Sequence, residues 1–172
     1  MKVLLTGATG FIGSAILRQL IQRGDNVRVL ARPNSDQKNL YGLECKIFLG
    51  DLNDTRSIEP AIKDCQALIH VAADYRLWAL NPKEITNTNI IGTKNIMRAA
   101  ITANVERIIY TSSVATLGKS RDNIPANEDT PSSLSEMIGV YKKSKFLAEQ
   151  EVRRMITDKS LPAIIVNPSA PI

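Results

Sequence analysis

The chain has 172 residues, 44% hydrophobic and 23% charged, with 9 Gly and 8 Pro. That balance excludes collagen-like, disordered and disulfide-scaffold proteins, and the length suits one domain with a real core. The net charge of +5 comes from scattered Lys and Arg, densest at Lys142, Lys143 and Lys145, so it fits attraction of anionic small molecules better than a nucleic-acid interface.

The opening MKVLLTGATG reads as a buried strand, Lys2 to Thr6, rather than a signal peptide, because Gly and Thr break the apolar run at once. A helix with apolar residues on adjoining turns is predicted from Phe11 to Arg23, stopped by Gly24. Strands follow at Val27 to Ala31 and Cys45 to Leu49, then a helix from Thr55 to Lys63 and a strand from Ala67 to Val71. Asn81-Pro82 pairs an N-cap with proline at the first helical position and opens one long predicted helix to Ala103. A fifth strand spans Arg107 to Ser112, a long helix Tyr141 to Asp158, and a sixth strand Ala163 to Val166. Apolar strands alternating with amphipathic helices imply an α/β fold, a doubly wound parallel sheet with helices on both faces. Ligands of such a sheet bind at the carboxyl ends of its strands. The irregular stretches Ala73 to Leu80 and Val114 to Val140 emerge at that edge, where binding loops belong. No stretch approaches the roughly 18 apolar residues of a membrane span. Cys45 and Cys65 form no CxxC pair and read as reduced thiols of a cytoplasmic protein. No metal site is expected.

The glycines of Thr6-Gly7-Ala8-Thr9-Gly10-Phe11-Ile12-Gly13 fall between the first strand and the first helix. One glycine allows a tight turn, one lets a pyrophosphate approach the backbone, and one lets helix and strand pack closely. Helix-start N–H groups then meet the phosphates. Gly7, Thr9, Gly10, Phe11, Ile12 and Gly13 are therefore candidate dinucleotide-binding residues. A Walker-type loop is excluded, since no Gly-Lys-Ser/Thr follows. The second strand ends Val29-Leu30-Ala31-Arg32 without the acid that would hold a ribose 2′-hydroxyl. Arg32 instead offers a planar charged fork for a 2′-phosphate, which favours NADP over NAD.

Tyr141 and Lys145 stand four residues apart near a helix start and share one face. A neighbouring ammonium favours a phenolate, so the pair suits acid–base work on a hydroxyl or ketone. Thr111-Ser112-Ser113 ends the fifth strand at the edge that also carries the glycine turn, where a Ser hydroxyl can hold the substrate oxygen.

These motifs, TGATGFIG, GDL, HVAA, NIIGTKN, YTSS and YKKSK in order, resemble the extended short-chain dehydrogenases/reductases, the NAD-dependent epimerase/dehydratase type. HVAADYRLW, YTSSVATLG, MIGVYKKSKFLAEQ and IVNPSAP look like the hopanoid-associated sugar epimerase or dihydroflavonol-4-reductase-like branch. The resemblance implies a Rossmann fold and an NADP-dependent oxidoreductase or epimerase acting on a sugar-like or other alcohol or ketone carbon. Tyr141 would be the acid/base, Lys145 would bind the nicotinamide ribose and depress the tyrosine pKa, and Ser113, five residues before Gly118, would orient the substrate. Asp51 would meet the adenine amino group and Leu52 the ring. Ala72 and Ala73 would let the backbone pass close to the cofactor, with Thr111 and Pro168 also in the cofactor site. Asn89 would steady the active-site backbone or a water. Thr116-Leu117-Gly118 departs from the Val-Tyr-Gly of many sugar-nucleotide members, so substrate contacts do not transfer directly.

Expected partners are a small-molecule substrate and, left open, a second copy of the chain; nucleic acid and integral membrane association are not expected. A non-catalytic sensor or scaffold is the alternative, disfavoured because both Tyr141 and Lys145 are present. His70 has no metal-ligand partners in the sequence, Tyr75 and Trp78 suit either a pocket wall or loop packing, and Arg153-Arg154 reads as a solvated helix face. The resemblance also implies a second, smaller portion after the sixth strand. The chain, ending at Ile172, is expected to be the cofactor half, binding dinucleotide weakly and lacking a complete substrate pocket.

Overall fold

The computed structural model describes residues 1–119 and 125–169; the chain end that follows, and residues 120–124 of the predicted loop after the fifth strand, lie outside them. Six parallel strands, β1 (Lys2–Thr6), β2 (Asn26–Ala31), β3 (Lys46–Leu49), β4 (Ala67–His70), β5 (Arg107–Thr111) and β6 (Ala163–Val166), form one sheet in the order β3-β2-β1-β4-β5-β6. The strand order reverses between β1 and β4, opening a crevice at their carboxyl ends. Helix α1 (Phe11–Gln22) packs its Leu17 and Leu20 on one face over Val3, Leu5 and Val29. Helices α2 (Thr55–Ile62), α4 (Thr93–Thr102) and α5 (Gly139–Lys159) cover the other, where Leu4, Leu68, Ile108 and Tyr110 meet Ile58, Ile96 and Val152. Alternate residues of β1 thus serve two cores, as a strand covered on both faces requires.

The long helix predicted from Asn81 to Ala103 is present but is not α-helical throughout. Asn81 caps α3 (Pro82–Thr86) through its side chain, but Asn87–Gly92 form a π-helical turn before α4 resumes. The wider turn keeps Ile85 and Ile96 in the core while turning Asn89 inward, 2% exposed. Apolar periodicity runs through the segment, so sequence patterning reads it as one helix. Gly92 sits against Leu52, where an added Cβ would stand 2.9 Å from that residue's Cβ.

A polar row crosses the sheet near its carboxyl edge. Thr6 is in register with His70, and His70 with Tyr110. A 2.7 Å hydrogen bond joins Thr6 Oγ1 to His70 Nδ1, and a 3.0 Å bond joins His70 Nε2 to Thr93 Oγ1 of α4. The ring stacks on Tyr110 at 5.8 Å. Burial, aided by the nearby Lys145 charge, lowers the His70 pKa to about 3.

The unfolded chain therefore takes a proton at this position between about pH 6.5 and 3 that the folded chain refuses, so stability falls as pH drops through that window. Down to about pH 5 the carboxylates are still ionised, and His70 contributes a loss of up to about 1.4 kcal/mol per pH unit. His70→Gln, which does not titrate, should flatten unfolding free energy between pH 6.5 and 5; an unchanged slope refutes the assignment. The glycine turn gives a second test. A Cβ on Gly13 would lie 2.0 Å from the Gly7 carbonyl oxygen, whereas one on Gly10 meets nothing nearer than 3.5 Å. Urea unfolding should show Gly13→Ala losing about 2 kcal/mol or more and Gly10→Ala about 1 kcal/mol or less.

Candidate dinucleotide and catalytic site

The turn after β1 is built around backbone proximity. Gly7 has φ +77°, the left-handed region that suits glycine, and a Cβ there would lie 2.6 Å from the Ala72 nitrogen at the end of β4. Thr6 Oγ1 accepts the Ala72 N–H at 3.2 Å, which fixes the β1–β4 junction. Gly10 caps α1 without a side chain, and the first turn holds no acid, so its N–H groups and the helix dipole suit an anion. Asn39 Nδ2 donates to the Thr9 carbonyl at 2.8 Å and braces the loop. Phe11 is largely exposed, Ile12 partly. A dinucleotide's pyrophosphate fits this turn: Gly10 N–H closes it onto the Gly7 carbonyl at 3.0 Å, and nothing lies nearer than 3.5 Å on the Cβ side of Gly10.

Arg32 is exposed just beyond β2, its carbonyl held by Ser35. Its charge reaches Asp74 across the crevice and helps Arg76, the larger influence, hold that carboxyl below its ordinary range. Asp51 accepts from the N–H and side-chain amide of Asn53, while Leu52 is 8% exposed within the core. Ala72 and Ala73 are half-buried.

Tyr141 and Lys145 lie on one face of α5, with Tyr141 half-buried and Lys145 3% exposed. Lys145 Nζ donates to the Thr111 carbonyl at 2.9 Å and to Tyr110 Oη at 3.3 Å, lying 4.8 Å from the center of the Tyr110 ring. Burial brings the Lys145 pKa down to about 8, with the Glu149 carboxylate pulling it upward. Burial also pushes the Tyr110 phenol above its ordinary range. Ser113 Oγ accepts the Ala115 N–H at 3.1 Å, and Pro168 accepts that of Val114 at 3.1 Å. The ends of β5 and β6 are thereby joined beside α5.

Asn89 clasps the β4 loop: its Oδ1 accepts the Asp74 N–H at 2.7 Å, and its Nδ2 donates to the Asp74 carbonyl and to Ser144 Oγ, both at 2.9 Å. Ser144 Oγ donates to the Tyr141 carbonyl at 2.7 Å, linking the π turn to the start of α5. Beyond this anchor, Tyr75, Leu77, Trp78 and Leu80 are strongly exposed, so Tyr75 and Trp78 do not pack over the loop.

The structure brings the glycine turn, Ala72, Thr111, Ser113, Tyr141, Lys145 and Pro168 to one sheet edge. Tyr110, Ser144 and Glu149 are working polar residues that sequence patterning passes over as a core aromatic and helix-surface positions. The available signal for Glu149 is its spacing, four residues beyond Lys145 and eight beyond Tyr141. Arg153 and Arg154 are both exposed, in line with the solvated-face reading, while Arg153 Nε also donates to buried Glu149 at 2.9 Å and Arg154 pairs with Glu151. Cys65 is buried and Cys45 half-buried, both with free thiols. Among the described residues no cluster of metal-ligating side chains occurs, and no helix is long and apolar enough to cross a membrane.

Residues 3–172 match the NAD dependent epimerase/dehydratase family. A Synechocystis sp. protein that bears the name of a dihydroflavonol 4-reductase is 41% identical over 168 residues, covering 98% of this chain and 48% of its own length. The crystal structure of gox2253 is 52% identical with a TM-score of 0.94, over 100% of this chain and 52% of that one. DesIV, a dTDP-glucose 4,6-dehydratase from Streptomyces venezuelae solved with NAD and TYD bound, is 26% identical with a TM-score of 0.86, over 96% of this chain and 54% of its own. The chain spans about half the length of the curated relatives it matches. With its six-stranded parallel sheet and ordered motifs, the chain belongs to the NAD dependent epimerase/dehydratase family, an extended short-chain dehydrogenase/reductase fold.

Proposed function

We propose that the protein carrying this chain is an NADP-dependent oxidoreductase or epimerase acting at an alcohol or ketone carbon. The observation that supports this is Lys145, whose buried ammonium ties α5, the helix that carries Tyr141, to the Thr111 carbonyl at 2.9 Å, two residues before Ser113. When bound, the dinucleotide supplies or accepts hydride at the substrate carbon. Ser113 holds the substrate oxygen, and Tyr141 takes or returns the hydroxyl proton there. Lys145 contributes positive charge and a ribose contact. Gly7, Thr9, Gly10, Phe11, Ile12 and Gly13 hold the pyrophosphate, Asp51 and Leu52 the adenine, and Ala72, Ala73, Asn89, Thr111 and Pro168 border the nicotinamide half. Arg32 pairs with the 2′-phosphate, which supports NADP over NAD; the NAD bound to DesIV marks the alternative.

The substrate is sugar-like or another alcohol or ketone. The dTDP-glucose substrate of DesIV favours the sugar, whereas exposed Tyr75 and Trp78 beside the site favour an apolar or aromatic ketone.

Tyr141→Phe should lower turnover by about 10²-fold or more while dinucleotide affinity stays within about twofold; undiminished turnover sinks the assignment. Titration calorimetry should show NADPH binding more tightly than NADH, with Arg32→Ala erasing a preference of about tenfold. NADH binding as tightly to the unaltered chain refutes the role of Arg32. Gly10→Ala should weaken both dinucleotides, because its Cβ would occupy the approach of the pyrophosphate.

A further inference from the structure

Glu149 stands one turn beyond Lys145 and two beyond Tyr141 on the same face of α5, and is 4% exposed. Its Oε2 accepts from Ser112 Oγ at 2.6 Å, Thr116 Oγ1 at 2.8 Å and Asn167 Nδ2 at 3.0 Å. Its Oε1 accepts from Arg153 Nε at 2.9 Å. Three of these donors come from the ends of β5 and β6 and the short 3-10 helix Val114–Thr116, so they surround Ser113 on both sides in sequence.

The same donors grip Ser113 itself. Its carbonyl accepts from the Thr116 N–H at 3.0 Å and Asn167 Nδ2 at 3.1 Å, and lies 2.7 Å from Thr116 Oγ1, whose single proton it shares with Glu149. Ser112 N–H donates to the Val166 carbonyl at 2.8 Å. Asn167 Oδ1 is buried without a partner among the described residues, because the amide turns its NH₂ toward the carboxylate. The NH₂ of Asn167 thus faces the carboxylate, the Ser113 carbonyl and Thr116 Oγ1 together.

We propose that Glu149 is a positioning residue for the reaction: its buried carboxylate gathers Ser112, Thr116 and Asn167 and so holds Ser113 at a fixed place relative to Tyr141 and Lys145. This rests on the roles of Ser113 and Tyr141 proposed above. A single helix face then sets both the acid/base and the group that orients the substrate. Misplacement by an ångström is enough to lower turnover about 100-fold.

Glu149→Gln tests the charge at nearly constant shape. Its amide NH₂ must face either Arg153 or Asn167, both donors. In the protein carrying this chain, E149Q should lower kcat by about 10- to 100-fold while dinucleotide affinity stays within about twofold. Hydrogen exchange of the 112–116 amides should quicken, with the glycine turn unchanged. Glu149→Asp, which keeps the carboxylate and leaves the Asn167 donor in place, should retain more kcat than E149Q. An unchanged kcat in E149Q, or an E149D no better than E149Q, overturns the proposal. If E149Q does not fold, Thr116→Val removes the bridging hydroxyl without stranding a charge, and an undiminished kcat there overturns it equally. Tyr141→Phe, run in parallel, separates the two readings. A Y141F that still turns over removes the catalytic reading beneath the proposal, whereas an inactive Y141F beside a fully active E149Q removes only the role of Glu149.

Discussion

Three backbone segments converge on Gly7, and the crevice exists because they can. Its φ of +77° turns the chain out of β1, Gly13 brings the first turn of α1 onto its carbonyl, and Ala72 passes so close that a side chain would collide. Dispersion and hydrogen bonding are short-ranged, so that proximity places the α1 N-terminus and the end of β4 on the same opening. The strand-order reversal decides where the opening lies; the small residues decide how close to the backbone an anion can come.

Helix α5 organises the other half of the site. Tyr141, Lys145 and Glu149 repeat at helical spacing on one face, so each reaches the carboxyl edge of the sheet from the same side. Lys145 is buried against a phenol ring and a carbonyl, which is tolerable for a cation only with such partners. The Thr6–His70–Thr93 chain and stacked Tyr110 extend this polar layer back to the glycine turn. It specifies how β1, β4, β5 and α5 meet, where an all-apolar layer would allow small slips.

Most of this architecture was legible from the residues. Buried strands announce themselves as short apolar runs ending in glycine or polar turns, and all six were located within a residue at each end; β2 begins at Asn26 and β3 at Lys46. The glycine spacing and the Tyr141–Lys145 pair were legible because each relies on local geometry. Asn89's environment was not, since it depends on one extra residue in the Asn87–Gly92 turn, which leaves apolar periodicity intact. Glu149 escaped for a different reason: an acid followed by Arg153 and Arg154 reads as a solvated surface, and only the folding of β5 and β6 onto α5 supplies its buried donors.

The placement of the dinucleotide at the β1–β4 crevice is tested most directly by mapping amide chemical shifts of this chain during titration with NADP⁺. Saturable shifts concentrated at residues 7–13, Arg32, Ala72 and Ala73 are the predicted result. Shifts confined to the outer edge of β3 or the groove beside β6, with the glycine turn silent, would contradict it.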